Sequence, residues 1–388
     1  MSVNTSHAHM SLSGEHSLKQ VSDLDVIVSA DEHVSEAVED FLPYIDEDRY
    51  NGIKRIIEQS GDPWREVFSV TTALPPFSNT AMASNYGGAD GVMQEGEDKL
   101  ETKLLRLDEF DIDYGILNPT LMVALPTVNN RQAAAALTQG YNAWLYEEFV
   151  AGSDRLYGAI VVPGQDPEMG AREIRKYADK DGIVAVQLGA TGHKIPVSHD
   201  WWAPVYEAAE EAGLPVKYHS SFPAIGHGFP LQHRWHELFA QDKVLSHPFS
   251  QMWNVLKLVY EGIPVKYPDL TFVIQESGIG WIPYWKMRLD RYHLGLGSEM
   301  PMLDKLPSKY IDDQFYFTTQ PVGHTDREME HVAELAKMAG PQNLMYAADI
   351  PHTDFDTPEE LFNPIRGSLP DDQIRGMMGE TAMEVFDL

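Results

Sequence analysis

The stretch Val26–Glu36 reads VIVSADEHVSE: an apolar, β-branched run that passes directly into Asp31 and His33. Successive side chains of a strand point to opposite faces, so residues two apart share one side, and Asp31 and His33 can face the same space. The pattern returns along the chain. His219 closes PVKYHSS, Glu276 closes LTFVIQESG and Asp349 closes LMYAADIPH. Ionisable residues at the ends of apolar strands have no packing purpose in a barrel, whereas barrel enzymes build their sites there.

Working outward, short β-branched runs alternate with longer amphipathic stretches almost to the last residue, which is the α/β pattern. Strands are expected at Asp25–His33, Tyr114–Asn118, Leu156–Val162, Ile183–Leu188, Val216–Ser220, Thr271–Glu276, Phe315–Thr319 and Leu344–Asp349. Helices are expected at Asn129–Ala151, Pro167–Lys180, Trp201–Ala212, Ser250–Tyr260 and Asp326–Ala339. Eight such units predict a closed (β/α)8 TIM barrel, with a doubly wound open sheet of fewer strands as the alternative. One barrel domain would span residues 23–388, preceded by a flexible tail over residues 1–22 that carries His7, His9 and His16.

Two connections are too long for turns. Leu42–Glu95, after the first strand, holds Pro63, Pro75, Pro76 and the Gly87-Gly88 pair, and is expected to form a lid or an oligomer contact. Phe222–Asp242, after the fifth strand, holds His227, His233, Arg234 and His236 and opens on the same face.

Fifty-nine acidic against 29 basic residues give a formal charge of −30, a field that repels nucleic acid and anionic membranes. Acidic residues spread along the whole chain suggest a salt-rich habitat, where such self-repulsion is screened. Without cysteine there are no disulfides and no thiolate ligands. No apolar run is long enough for a signal peptide or for the roughly 20 residues of a membrane span, so a cytoplasmic protein is expected.

Any metal must therefore be held by imidazole and carboxylate. Asp31, His33, His219, Glu276 and Asp349 form a set suited to zinc first, with manganese or iron as alternatives. A lone strand-end histidine is more often structural; five such residues at corresponding strand ends are not. His247, in LSHPFSQMW, precedes an expected helix start near Pro248 and is either a structural cap or a site histidine. His352, three residues past Asp349, is open to the same two readings and could contact a substrate. Arg234 could hold a substrate carboxylate, as could Arg288, and Trp281 could stack on a substrate; surface ion pairs and core packing are the plainer readings of these residues.

The first-strand motif, the strand-5 histidine, AADIPH and the segment YPDLTFVIQESGIGWIPYWKMRLDR together resemble the amidohydrolase superfamily, in the branch related to aminocarboxymuconate-semialdehyde decarboxylase and to carbon–carbon bond hydrolases. The resemblance runs from about Asp25 to the C-terminus. It implies a distorted barrel with one divalent metal ion, Asp349 beside it handling protons, and a homo-oligomer. The chain departs from the pattern in having Asp31 where a histidine is usual, Glu276 where strand 6 carries a histidine, and Gln187 rather than a lysine on strand 4. That last difference implies a single metal.

Two reactions fit the set. In hydrolysis of a small carboxylated or aromatic-derived substrate, a metal-activated water attacks a carbonyl, Asp349 takes a proton and His247 or His219 steadies the oxyanion. In non-oxidative decarboxylation of an aromatic or muconate-type acid, Asp349 protonates carbon before CO2 leaves. Glu276 tilts the expectation toward hydrolysis. A non-catalytic binding barrel and a Schiff-base lyase using Lys217 complete the alternatives.

Overall fold

The computed structural model describes residues 17–59, 99–220, 239–322, 330–352 and 354–388. Eight parallel strands form one sheet in sequential order. They are β1 (Val28–Val34), β2 (Tyr114–Pro119), β3 (Leu156–Val161), β4 (Ile183–Gly189), β5 (Val216–His219), β6 (Phe272–Gln275), β7 (Phe315–Thr318) and β8 (Leu344–Met345). Closure is made by backbone bonds between β1 and the segment that continues β8: Ala30 to Tyr346, Asp349 to Asp31 and His33 to Ile350. The TIM barrel is thus nearly closed, with helices between its strands.

Alternation sorts the strand residues into two cores. Val34, Leu117, Ile160, Val186, Tyr218, Ile274 and Phe317 pack outward under the helices, while Val28, Ala30, Ile116, Ala159, Val273 and Met345 fill the lumen. The C-terminal helix Thr381–Phe386 adds Ala382 and Phe386 to that inner cluster. Its approach requires Gly379, where a Cβ would stand 2.6 Å from the Val26 carbonyl oxygen.

The helix ends follow local chemistry. Asn130 caps Arg131–Glu148 by accepting from the amides of Gln132 and Ala133. Asp166 caps Pro167–Tyr177, which has proline in its first turn and Arg175 and Lys176 in its last. Ala203–Ala212 ends on Gly213 at φ +67°.

Several expected boundaries move. β1 starts at Val28 rather than Asp25 because Ile27 is held by the Asp113 side chain. β8 stops after Met345, since the Tyr346 amide donates to Met377 in the C-terminal segment instead of to a strand. The helix expected from Ser250 begins at Phe239, so Pro248 lies inside it and His247 does not sit at its start. Proline there removes one bond, to the carbonyl of Val244, a residue that is 70% exposed. Residues 17–22, assigned to the tail on sequence, are packed: Leu18 and Val21 are buried, and Ser17 donates to Asp371. The expected lid falls largely on residues 60–98, and Arg234 with its neighbouring histidines on 221–238, all outside the described residues, as are His7, His9 and His16. Among the described residues no helix is long and apolar enough to cross a membrane.

Candidate metal centre

Asp31 and His33 reach the barrel mouth through an irregularity that the sequence pattern conceals. Val28 and Ala30 face the lumen, and simple alternation would then turn Asp31 and His33 away. The β1–β2 register shifts between Ser29 and Glu32, and this bulge resets the parity. Ser29 secures it, its hydroxyl donating to the Asp31 carbonyl and accepting from the Ala348 amide. Glu32 consequently points outward and lies 3.5 Å from Lys103 Nζ, both fully buried, while Lys103 also donates to the Ile350 carbonyl. Burial pushes Glu32 up to about 7 against the pull of Lys103.

Asp31, His33, His219 and Asp349 place one ligand atom each within 4.8 Å of the others, and all four are buried. Nε2 of His33 stands 2.9 Å from Nε2 of His219 and 3.2 Å from Asp349 Oδ1. Asp31 Oδ1 is 3.5 Å from His33 Nε2 and 3.3 Å from His219 Nε2. Ligands about 2.1 Å from one ion lie ~3.0 Å apart at right angles and ~3.4 Å apart in a tetrahedron, so the observed separations are those of a coordination shell. The tautomers agree. His219 Nδ1 donates to the Ser220 carbonyl, so Nε2 is the nitrogen available to a metal. Two imidazole nitrogens 2.9 Å apart between carboxylates need a proton or a metal cation among them, and Asp31 Oδ2 is buried without a hydrogen-bond partner. The donor set fits a divalent ion.

Without an ion, the same carboxylates favour a positive charge on His219. Burial would lower His219, but Asp31, Glu276 and Asp349 outweigh it and push the ring up to about 9. Burial holds His33 down at about 4. For Asp31 burial raises and the two imidazoles lower, leaving it well below the usual carboxylate range. Asp349 is pushed well above that range by burial, reinforced by Glu276 and opposed by His352.

A second group, Glu276, Asp349 and His352, shares Asp349 with the first. Asp349 Oδ1 lies 2.7 Å from His352 Nδ1, and Gln320 donates to its Oδ2 at 2.8 Å. Glu276, expected among the ligands, belongs to this second group and stands 3.2 Å from His247 Nε2 and 3.8 Å from His219 Nδ1, the nitrogen turned away from the quartet. Ser246 fixes His247 through Nδ1. Alternation from Ile274 would direct Glu276 outward, but its φ of +52° turns the chain; Asp349 has φ +66°. Such conformations cost roughly 1–3 kcal/mol each and gather at functional sites.

Trp281 packs edge-on against Phe317 at 5.8 Å, in the layer outside the barrel. Lys217 is buried in the lumen, where its ammonium donates to Asn118 Oδ1; Asn118 in turn donates to Asp31 Oδ1 at 2.6 Å. Burial lowers Lys217 to about 7. Its contacts make it a brace beneath the ligands rather than a group presented to substrate. Asn118, Gln320, Ser246 and Lys103 were missed on sequence, although Asn118 ends an apolar strand just as the ligands do.

Residues 94–388 match the family model described as amidohydrolase. Among curated proteins the chain is similar to gamma-resorcylate decarboxylase of Rhodococcus jostii, 25% identical over 286 residues that cover 68% of this chain and 80% of that protein. The Polaromonas enzyme of the same name is 23% identical over 66% of this chain and 78% of its own length. Among solved structures, 5-carboxyvanillate decarboxylase of Sphingomonas paucimobilis superposes with a TM-score of 0.67 at 18% identity, covering 94% of this chain and 99% of that one. The Novosphingobium aromaticivorans enzyme of the same name, complexed with manganese and 4-hydroxy-3-methoxy-5-nitrobenzoic acid, gives 0.66 at 20% identity, over 94% and 96%.

Proposed function

Since the chain belongs to the amidohydrolase family, we propose that it is a metal-dependent decarboxylase of an aromatic carboxylic acid, with Asp31, His33, His219 and Asp349 holding one divalent ion, manganese rather than zinc. The observation that carries the reading is the pair of imidazole Nε2 atoms 2.9 Å apart among buried carboxylates. Decarboxylation, placed second to hydrolysis on sequence, is favoured because the similar proteins of known activity are decarboxylases and three of the similar solved structures contain manganese.

When bound, the ion supplies a positive charge that orients and polarises substrate oxygens. The chain's own residues do the rest. Asp349, 2.7 Å from His352, delivers a proton to the ring carbon that bears the carboxyl group, and His352 can replace it. The ring–carboxyl bond then breaks, its electron pair restores aromaticity, and CO2 leaves. His247, held between Ser246 and Glu276, faces the same space and is placed to hydrogen-bond the substrate. Burial of the whole set keeps water from competing for the proton.

The test is CO2 release from 2,6-dihydroxybenzoate and 5-carboxyvanillate by metal-stripped and manganese-loaded protein. The reading expects release with at least one of these acids that depends on manganese. Metal-dependent hydrolysis of carbon–carbon cleavage substrates with no CO2 from either acid would restore the hydrolase.

A further inference from the structure

A metal-binding imidazole needs its second nitrogen fixed, and for His33 that nitrogen is Nδ1. It lies 3.3 Å from the hydroxyl of Thr120, just past the end of β2. The following residues, LMVALP, are apolar and offer nothing of their own to hold the loop in place. A carboxylate from the neighbouring loop holds it. Glu36, buried three residues beyond His33, accepts the amides of Thr120 at 3.0 Å and of Leu121 and Met122 at 2.8 Å each. These three N–H groups open the 3-10 helix Met122–Thr127, where the backbone lacks internal acceptors.

Burying a carboxyl is a costly way to secure a turn, because burial disfavours its charged form. A small polar cap within the loop would do the same job with less desolvation. What a reach from the His33 segment adds is a closed circuit, in which ring, hydroxyl, loop amides and carboxylate return to the strand end that carries the ring.

We infer that Thr120 and Glu36 are positioning residues for the metal centre, with the Thr120 hydroxyl, placed by Glu36, holding the His33 ring at Nδ1 so that Nε2 faces the ion. The inference rests on the metal site proposed above. It predicts that the orientation of the His33 ring, and with it metal affinity, depends on one hydroxyl group.

The test compares Thr120→Val, which keeps shape and removes the hydroxyl, with Thr120→Ser, which restores it. Manganese binding to the full chain is followed by the electron paramagnetic resonance signal of free and bound ion, alongside thermal unfolding of the metal-free proteins. Thr120→Val is expected to weaken manganese binding by about 10- to 100-fold with little change in metal-free unfolding, and Thr120→Ser to bind within a few-fold of the parent. Glu36→Gln should weaken binding in the same direction. The inference is overturned if Thr120→Val binds as tightly as the parent, or if Thr120→Ser is as weak as Thr120→Val. A parent that binds no manganese at all would instead remove the metal reading, and this inference with it.

Discussion

The two walls of the candidate metal centre are built differently. At the β1–β8 seam, Asp31, His33 and Asp349 sit on backbones bonded to one another, since the Asp349 amide donates to Asp31 and the His33 amide to Ile350. Lys103 braces the seam from behind and Asn118 from within the lumen. Across the mouth, His219 alone joins the quartet, and its neighbours Glu276 and His247 face each other beside it. Glu276 is fixed through its amide to Thr318 Oγ1, and His247 comes from a helix rather than a strand end. On the proposed reading the seam supplies three of the four ligands, and the opposite wall is the side that would meet the substrate.

That division predicts different losses. Asp349 serves both walls, so Asp349→Asn should be the most damaging change: turnover falls by about 10²- to 10⁴-fold, and metal is lost as well, which elemental analysis beside initial rates would show. Full metal content with parental turnover would erase the distinction. Glu276→Gln should act more mildly, keeping the metal while His247 loses its charged partner, so that turnover falls by about tenfold to a hundredfold. If Glu276→Gln emptied the site, Glu276 would be a ligand after all and the two walls would be one.

Strand positions were legible because a strand buried between lumen and helices reads as a short β-branched run, and all eight appear near their expected places. His33, His219 and Asp349 were legible as polar residues closing such runs. The parity of β1 was not, because the bulge at Ser29–Glu32 depends on a hydroxyl bonding to Ala348, more than 300 residues away in sequence. Nor was the turn at Glu276, where a positive φ at a non-glycine residue leaves no mark in the pattern. Trp281 shows the converse, since an aromatic near a site strand belongs to the outer packing layer. Supports such as Asn118 and Lys103 bond to groups far along the chain, and local periodicity carries no trace of them.

The most direct measurement is metal content per chain, taken on protein purified without chelator, for the parent and for His219→Ala. The account predicts about one equivalent of a divalent ion in the parent, manganese first, and its loss in the variant. A parent that neither retains nor takes up an ion, or a variant that keeps a full equivalent, would contradict it.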